Sequence, residues 1–273
     1  MRRPSLALAL GLAAAALAAA PAASPDRAFA QEAPGAAPAP PPAAAPPAAA
    51  PPAAAPPAPP AAAPPAAVDL RPRLEAWGLP VRGQHRRPTC SVFTVVVAME
   101  YAVARARGRG EPLSVEFANW AGNEATRRVD DGSFFSDVWE GYEAHGICPD
   151  RLLPYGKSFD PQATPPDAAR EAARALRASV PLRIHWIAPL PRKPGITDAH
   201  LAEIKAVLAA GWPVCGGSYH SVLFVGYRDD PEEAGGGVLI VRDSGGAGGH
   251  GTISYEAAKA RFGDVLWIEA VSP

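Results

Sequence analysis

A surplus of charge of either sign is missing from this sequence: 26 Lys and Arg stand against 27 Asp and Glu in 273 residues, a net charge of −1. Duplex nucleic acid is thereby excluded as the main partner, because phosphate binding wants a clustered excess of Lys and Arg. The short clusters Arg82/Arg86/Arg87, Arg105/Arg107/Arg109 and Arg127-Arg128 read as solvated faces. Cysteine is scarce and odd in number, only Cys90, Cys148 and Cys215. A disulfide framework therefore does not carry the fold, and at least one thiol stays free unless chains pair through it. Metal-ligand spacing is lacking as well: His185, His200 and His250 fall into no such pattern with each other or with the cysteines, so no zinc site and no cofactor are expected. The longest apolar run, Leu6 to Ala20, is shorter than the roughly 20 residues a membrane span needs.

That run follows Arg2 and Arg3 and ends in small residues at Ala28-Phe29-Ala30, the pattern of a secretory signal peptide over residues 1–30. A secreted or periplasmic protein is expected, with no stable membrane span once the signal is cut. Residues 31–67 are almost only Ala and Pro in a PPAAA rhythm, which builds no core and favours extended polyproline, a tether of up to roughly 100 Å. The first 67 residues hold 18 of the 34 prolines, whereas residues 68–273 carry 23 Lys and Arg against 25 Asp and Glu. The latter block suits one large domain or two small lobes, expected to act as a monomer.

Within it, Pro80, Gly83 and Pro88 mark a loop that runs into Cys90, after which Val92, Val95, Val96, Met99 and Val103 recur at helical spacing. Cys90 thus falls on the first turn of a buried helix, where free N–H groups and the helix dipole favour a thiolate. Position alone leaves a buried small hydrophobe as the equal reading. The run Trp212 to Tyr227 reads as two β segments joined near Gly216-Gly217, with His220 early in the second. Val238 to Asp243 is a further strand ending in a carboxylate at a glycine-rich loop. Cys, His and Asp therefore occur at 90, 220 and 243, each at the end of a regular element.

Here the sequence resembles the papain and cathepsin type of cysteine peptidase over residues 75 to 270. Gln84 precedes Cys90 by six residues, Phe93 supplies an aromatic three residues after it, and His220-Ser-Val-Leu-Phe-Val-Gly226-Tyr227 matches the family's His-apolar-Gly-Tyr run. Asp243-Ser244-Gly245-Gly246 aligns with an Asn-Ser-Trp-Gly element, and the interval of 130 residues from Cys90 to His220 agrees with the family. The resemblance implies an α+β, two-lobed fold, with a helical N-terminal lobe bringing Cys90 and a β-rich C-terminal lobe bringing His220 and Asp243 to the cleft between them. It implies a peptide or protein substrate and the catalytic set Cys90, His220, Asp243 and Gln84, with Gln84 and the Cys90 backbone N–H as oxyanion donors.

The sequence also departs from the family. Arg87-Pro88-Thr89-Cys90-Ser91 lacks the usual structural cysteine and the aromatic after the nucleophile, which removes one disulfide and part of a pocket wall. Asp243 stands for Asn, Gly245 for the Trp that shields the Asn–His bond, and only five residues separate Val214 from His220. A catalytically silent papain-like binding module and another Cys-His-Asp acyl-transfer enzyme, transglutaminase-like or leader-peptide-processing, stay open beside the peptidase. Cys148 and Cys215 are candidates for a disulfide, their separation being invisible to sequence. His85 reads as an exposed loop residue, His145 as a cation at a helix C-terminus, Asp130-Asp131 and Asp229-Asp230 as turn formers, and Trp120, Trp139, Trp186, Trp212 and Trp267 as core. Helices are expected near 90–107, 114–126, 134–145, 167–178 and 198–210, and strands near 182–188, 213–228, 237–242, 251–255 and 265–270.

Overall fold

A computed structural model of the chain describes residues 64–189 and 194–272. The expected signal peptide and most of the Ala/Pro segment lie outside the described residues. The end of that segment joins the sheet. The Tyr227 hydroxyl donates to the Pro65 carbonyl at 2.6 Å and the Asp229 N–H to the Ala66 carbonyl at 2.8 Å. β1 (Ala67–Asp69) then pairs with Arg228 to Gly226. Proline fits this approach because only its carbonyl is asked to bond.

After α1 (Arg71–Ala76) the chain enters α2 (Cys90–Arg107), buried without a break from Val92 to Ala104 and closed by Gly108 at φ +71°. A helix apolar on all sides is a core helix, and α2 packs against the sheet. The one charge in its buried stretch, Glu100, takes the Arg82 guanidinium and the Leu113 N–H at 2.8 Å. Burial pushes its carboxyl up against the opposing pull of Arg82. α3 (Val115–Thr126) starts at Ser114, whose hydroxyl accepts from the Phe117 N–H at 2.9 Å. It crosses α4 (Phe135–His145) at Gly141, where a Cβ would stand 2.8 Å from the Gly122 Cα. α5 (Asp167–Ser179) completes the helical half.

The second half supplies β2 (Leu182–Ala188), α6 (Asp198–Ala209), β3 (Val214–Gly217), β4 (Val222–Asp229), β5 (Gly237–Asp243), β6 (Gly249–Ser254), α7 (Tyr255–Arg261) and β7 (Asp264–Ala270). The strands form one antiparallel sheet in the order β2-β7-β3-β4-β5-β6, with β1 on β4. β3 covers Val222 to Phe224 of β4, and β1 takes over at Gly226 to Arg228, past a register shift between Phe224 and Gly226. Helices first and strands later make an α+β protein, as expected, with α2 as the shared wall.

Several local expectations are corrected. α1, α7, β1 and a 3₁₀ turn at Asp150–Leu152 were not legible, being three to seven residues long. Of the five tryptophans read as mostly core, Trp139, Trp212 and Trp267 pack half-buried against the main cluster and Trp120 against a smaller one, whereas Trp186 is 39% exposed. Cys148 and Cys215 are free thiols: Cys148 packs in a small cluster with Phe117 and Ala173, Cys215 in the main core. Burial pushes the Cys148 thiol up to about 12 and that of Cys215 well above its ordinary value. Two thiols in separate clusters have no shared geometry for a bond.

Candidate active site

Thr89 is the N-cap of α2, so Cys90 is its first residue, a half-buried free thiol whose carbonyl accepts the Thr94 hydroxyl at 2.8 Å. The loop before it is held from several sides. Arg87, 4% exposed, bonds Glu116 at 2.6 Å, Asp131 at 2.8 Å and the Gly156 carbonyl at 2.9 Å, and its guanidinium lies 4.4 Å over the Tyr155 ring. Burial works against that charge, and the bonds to Glu116 and Asp131 outweigh it, so Arg87 is held above its ordinary range. Tyr155 shares a 2.6 Å hydrogen bond with the Thr89 hydroxyl and stacks edge-on against Phe93.

Gln84 is buried where this loop meets the loop after β5. Its backbone N–H donates to the Ser244 carbonyl at 2.7 Å, and its Oε1 accepts the Ser244 hydroxyl at 2.8 Å. Its Nε2 donates to the Arg87 carbonyl at 2.7 Å, which orients the amide and leaves the second N–H unspent. Two details let the loops touch. A Cβ on Gly83 would stand 2.7 Å from the Ala247 Cα, and exposed His85 adopts φ +55° to donate its N–H to the Gly246 carbonyl at 2.8 Å. A non-glycine residue in that region is strained and persists when its surroundings fix it.

His220 lies in the loop 218–221 rather than early in the second strand, because β4 begins only at Val222. The Ser218 hydroxyl donates to the His220 carbonyl at 2.8 Å and accepts the His220 N–H at 3.3 Å, which clamps this turn. His220 Nε2 meets Asp243 Oδ1 at 2.7 Å, and the same oxygen accepts the Gly245 N–H at 2.6 Å. A carboxylate only accepts, so Nε2 carries the proton and Nδ1 presents its lone pair. The His220 and Asp243 side chains are 29% and 38% exposed. A side chain at 245 would begin 3.1 Å from Asp243 Oδ1 and 3.5 Å from His220 Nε2; glycine leaves their bond uncovered.

Cys90 lines a groove of about 690 Å³ with Phe134 and Phe135 on one side and Gly217, Ser218, Tyr219 and Ser221, the neighbours of His220, on the other. Among the described residues no hydrogen bond joins Cys90 to His220. The structure thus bonds His220 to Asp243, ties Gln84 to the residue after Asp243, and sets Cys90 in the groove beside the His220 turn. Sequence reading missed Arg87 and Asp131, assigned to a solvated face and a turn, as well as Glu116, Tyr155 and Ser244. A buried arginine is revealed only by partners 29 and 44 residues away.

No family model and no curated protein matches the chain. Solved structures do share its fold. Xylellain, a cysteine protease from Xylella fastidiosa, superposes with a TM-score of 0.59 at 20% identity, over 77% of this chain and 88% of its own. Digestive procathepsin L 3 of Tenebrio molitor gives 0.54 at 16% identity, over 77% and 71%. The ragweed pollen allergen Amb a 11, a cysteine protease in its proform, gives 0.53 at 18% identity, over 77% of this chain and 60% of that one. These likenesses establish a papain-like fold.

Proposed function

We propose that the chain is an exported, papain-like cysteine peptidase that hydrolyses peptide bonds through a thioester on Cys90. The observation that carries this reading is the 2.7 Å bond between His220 Nε2 and Asp243, which turns the Nδ1 lone pair outward in the turn flanking the groove that Cys90 lines. His220 takes the Cys90 proton, and the sulfur attacks the peptide carbonyl. The free N–H of Gln84 and the Cys90 backbone N–H receive the oxyanion, a contribution of roughly 3 kcal/mol per donor. His220 Nδ1–H then gives its proton to the leaving amine as the C–N bond breaks. A water loses its proton to Nδ1, its oxygen displaces the sulfur, and the carboxylic acid leaves a restored thiol. Asp243 acts through His220 and is a positioning residue.

The test is intact-mass labelling of the full chain with a peptidyl epoxide directed at thiolates, followed by peptide mapping. A single adduct on Cys90 that disappears in His220→Ala, together with hydrolysis of a peptide substrate, supports the peptidase. A second reading, a silent papain-like binding module, is favoured by the uncovered His220–Asp243 bond and by the absence of a Cys90–His220 hydrogen bond. No adduct on a reduced, accessible Cys90 selects that reading. Labelling of Cys90 together with transfer of a peptide substrate's acyl group from Cys90 to an added amine rather than to water selects the other Cys-His-Asp transferase.

A further inference from the structure

The end of the Ala/Pro segment meets the domain far from Cys90. β4 follows the His220 turn and ends at Asp229, and its eight residues at roughly 3.3 Å each set its two ends about 25 Å apart. At the Asp229 end, Pro65 and Ala66 are held by their carbonyls, on the Tyr227 hydroxyl and the Asp229 N–H. Polyproline chain makes no internal hydrogen bonds, so its carbonyls are free to be held in this way.

Pro64, one residue upstream, is part of the wall of a second groove, of about 330 Å³. Leu201, Ala202 and Lys205 of α6 and the turn at Gly235-Gly236 supply other parts of the wall. Ala202 and Gly236 are exposed, and a Cβ on Gly236 would meet nothing within 4 Å. Small or absent side chains let another backbone come close. The charges here are already matched, because Lys205 bonds Asp229 at 2.5 Å and Lys259 bonds Asp198 at 2.7 Å. A charged ligand finds no opposite charge left over, whereas a neutral chain that offers carbonyls finds a donor. The Lys205 ammonium has three N–H groups. Among the described residues one of them is used, on Asp229, and the Tyr227 and Tyr255 rings lie 4.9 and 5.5 Å from the nitrogen. Residues 59–63, Pro-Pro-Ala-Ala-Ala, come next in the chain. They carry no charge and no side chain larger than proline, and they span roughly 15 Å as polyproline.

We propose that this second groove docks the chain's own residues 59–63, in polyproline form against Ala202 and Gly236, with a backbone carbonyl on the Lys205 ammonium. A preformed polyproline segment loses little entropy on docking, which is what makes so short a contact sufficient. The domain then begins at Pro59, and the tether is attached at the far end of β4, clear of Cys90. The inference is independent of the peptidase reading.

The experiment compares amide ¹H–¹⁵N spectra of the full chain with those of full-length variants that probe the contact from both sides. In one variant residues 59–63 are replaced by Gly-Ser-Gly-Ser-Gly, and the same replacement of the identical Pro-Pro-Ala-Ala-Ala at 41–45 is its control. In the other, Ala202→Arg obstructs the groove from an exposed position on α6, far from residues 59–63 in sequence. Replacement at 59–63 is expected to shift the Ala202, Lys205 and Gly236 amides, and replacement at 41–45 to leave them in place. Ala202→Arg is expected to shift the Ala61, Ala62 and Ala63 amides. If those three stay in place in a folded Ala202→Arg the proposal is overturned, even where replacement at 59–63 is felt in the groove through Pro64. Groove amides that respond alike to both replacements overturn it too. So does a contact that is lost on dilution, which would seat the segment on a second copy of the chain.

Discussion

The two sides of the groove are built to different standards. The nucleophile loop is fixed from below: Arg87 is 4% exposed between Glu116 and Asp131, Tyr155 is bonded to Thr89, and Gln84 is anchored at both ends of its amide. The opposite side is fixed by less: Ser218 clamps the His220 backbone, but the His220 ring rests on one bond to an Asp243 that is 38% exposed and that no side chain at 245 covers. The difference teaches where precision resides. On the proposed mechanism, groups that receive an oxyanion must not move and so are bonded into buried structure, whereas an imidazole that exchanges protons with sulfur, amine and water keeps a wet face.

The largest effect separates the sides by chemistry. Cys90→Ala should reduce turnover to background while leaving the unfolding midpoint close to that of the unsubstituted chain, since a half-buried thiol gives way to a small residue with good helix propensity. A variant that still hydrolysed peptides would remove Cys90 as nucleophile. Next in size, Arg87→Met should cost about 3–5 kcal/mol in chemical denaturation, because it leaves Glu116 and Asp131 facing each other without their cation. The same variant should lower kcat more than it raises KM, by loosening the Gln84 amide that bonds the Arg87 carbonyl. A loss under 1 kcal/mol would mean that the loop is held by Tyr155 and the Gln84–Ser244 bonds alone.

The two sides were also unequally legible. α2 was visible because Val92 to Ala104 is an apolar run broken only by Thr94 and Glu100 and closed by Gly108, and its start fixed Cys90. Asp243 was visible because the apolar run Val238 to Val241 marks a strand that ends in a carboxylate at a glycine loop. What holds Cys90 in place was not visible: the partners of Arg87 lie on α3 and in the loop before α4, and a salt bridge between elements leaves no periodicity. Asp264 was hidden for the same reason, since the sequence Gly-Asp-Val-Leu-Trp reads as the start of a strand and only folding brings it beside Gly217. The boundary of β4 shifted His220 into a turn because Ser218 clamps a loop that hydropathy alone joins to the strand.

A third variant sharpens the contrast between a buried charge with partners, Arg87, and a buried carboxylate oxygen without a hydrogen-bond partner among the described residues, Asp264 Oδ1. The folded-state value of Asp264 is raised from 3.8 to about 6, so the folded protein disfavours its ionised form. Below both values the group is protonated in either state and carries no penalty. The penalty grows as pH rises between them and is complete above the upper one, at roughly 3 kcal/mol for two units. Asp264→Asn should therefore stabilise the protein by up to about that amount at pH 7–8 and by almost nothing below about pH 3, as read from unfolding midpoints across that range. A destabilised variant at pH 8 would show that Asp264 already has an internal partner.

The smallest effect addresses the exposed side directly. In Asp243→Asn the side-chain oxygen still accepts from His220 Nε2–H and from the Gly245 N–H, so the tautomer with its lone pair on Nδ1 is kept. Only the charge is lost, and at an aspartate 38% exposed to solvent that charge is well screened. kcat/KM should fall by no more than about tenfold, with the unfolding midpoint unmoved, in contrast to Arg87→Met. Raising ionic strength should narrow the gap between the two proteins further, since screening weakens the carboxylate that only one of them has. Complete loss of activity in a folded Asp243→Asn would show that the carboxylate must balance an imidazolium at this wet position, and that orientation of the ring is the lesser part of its role.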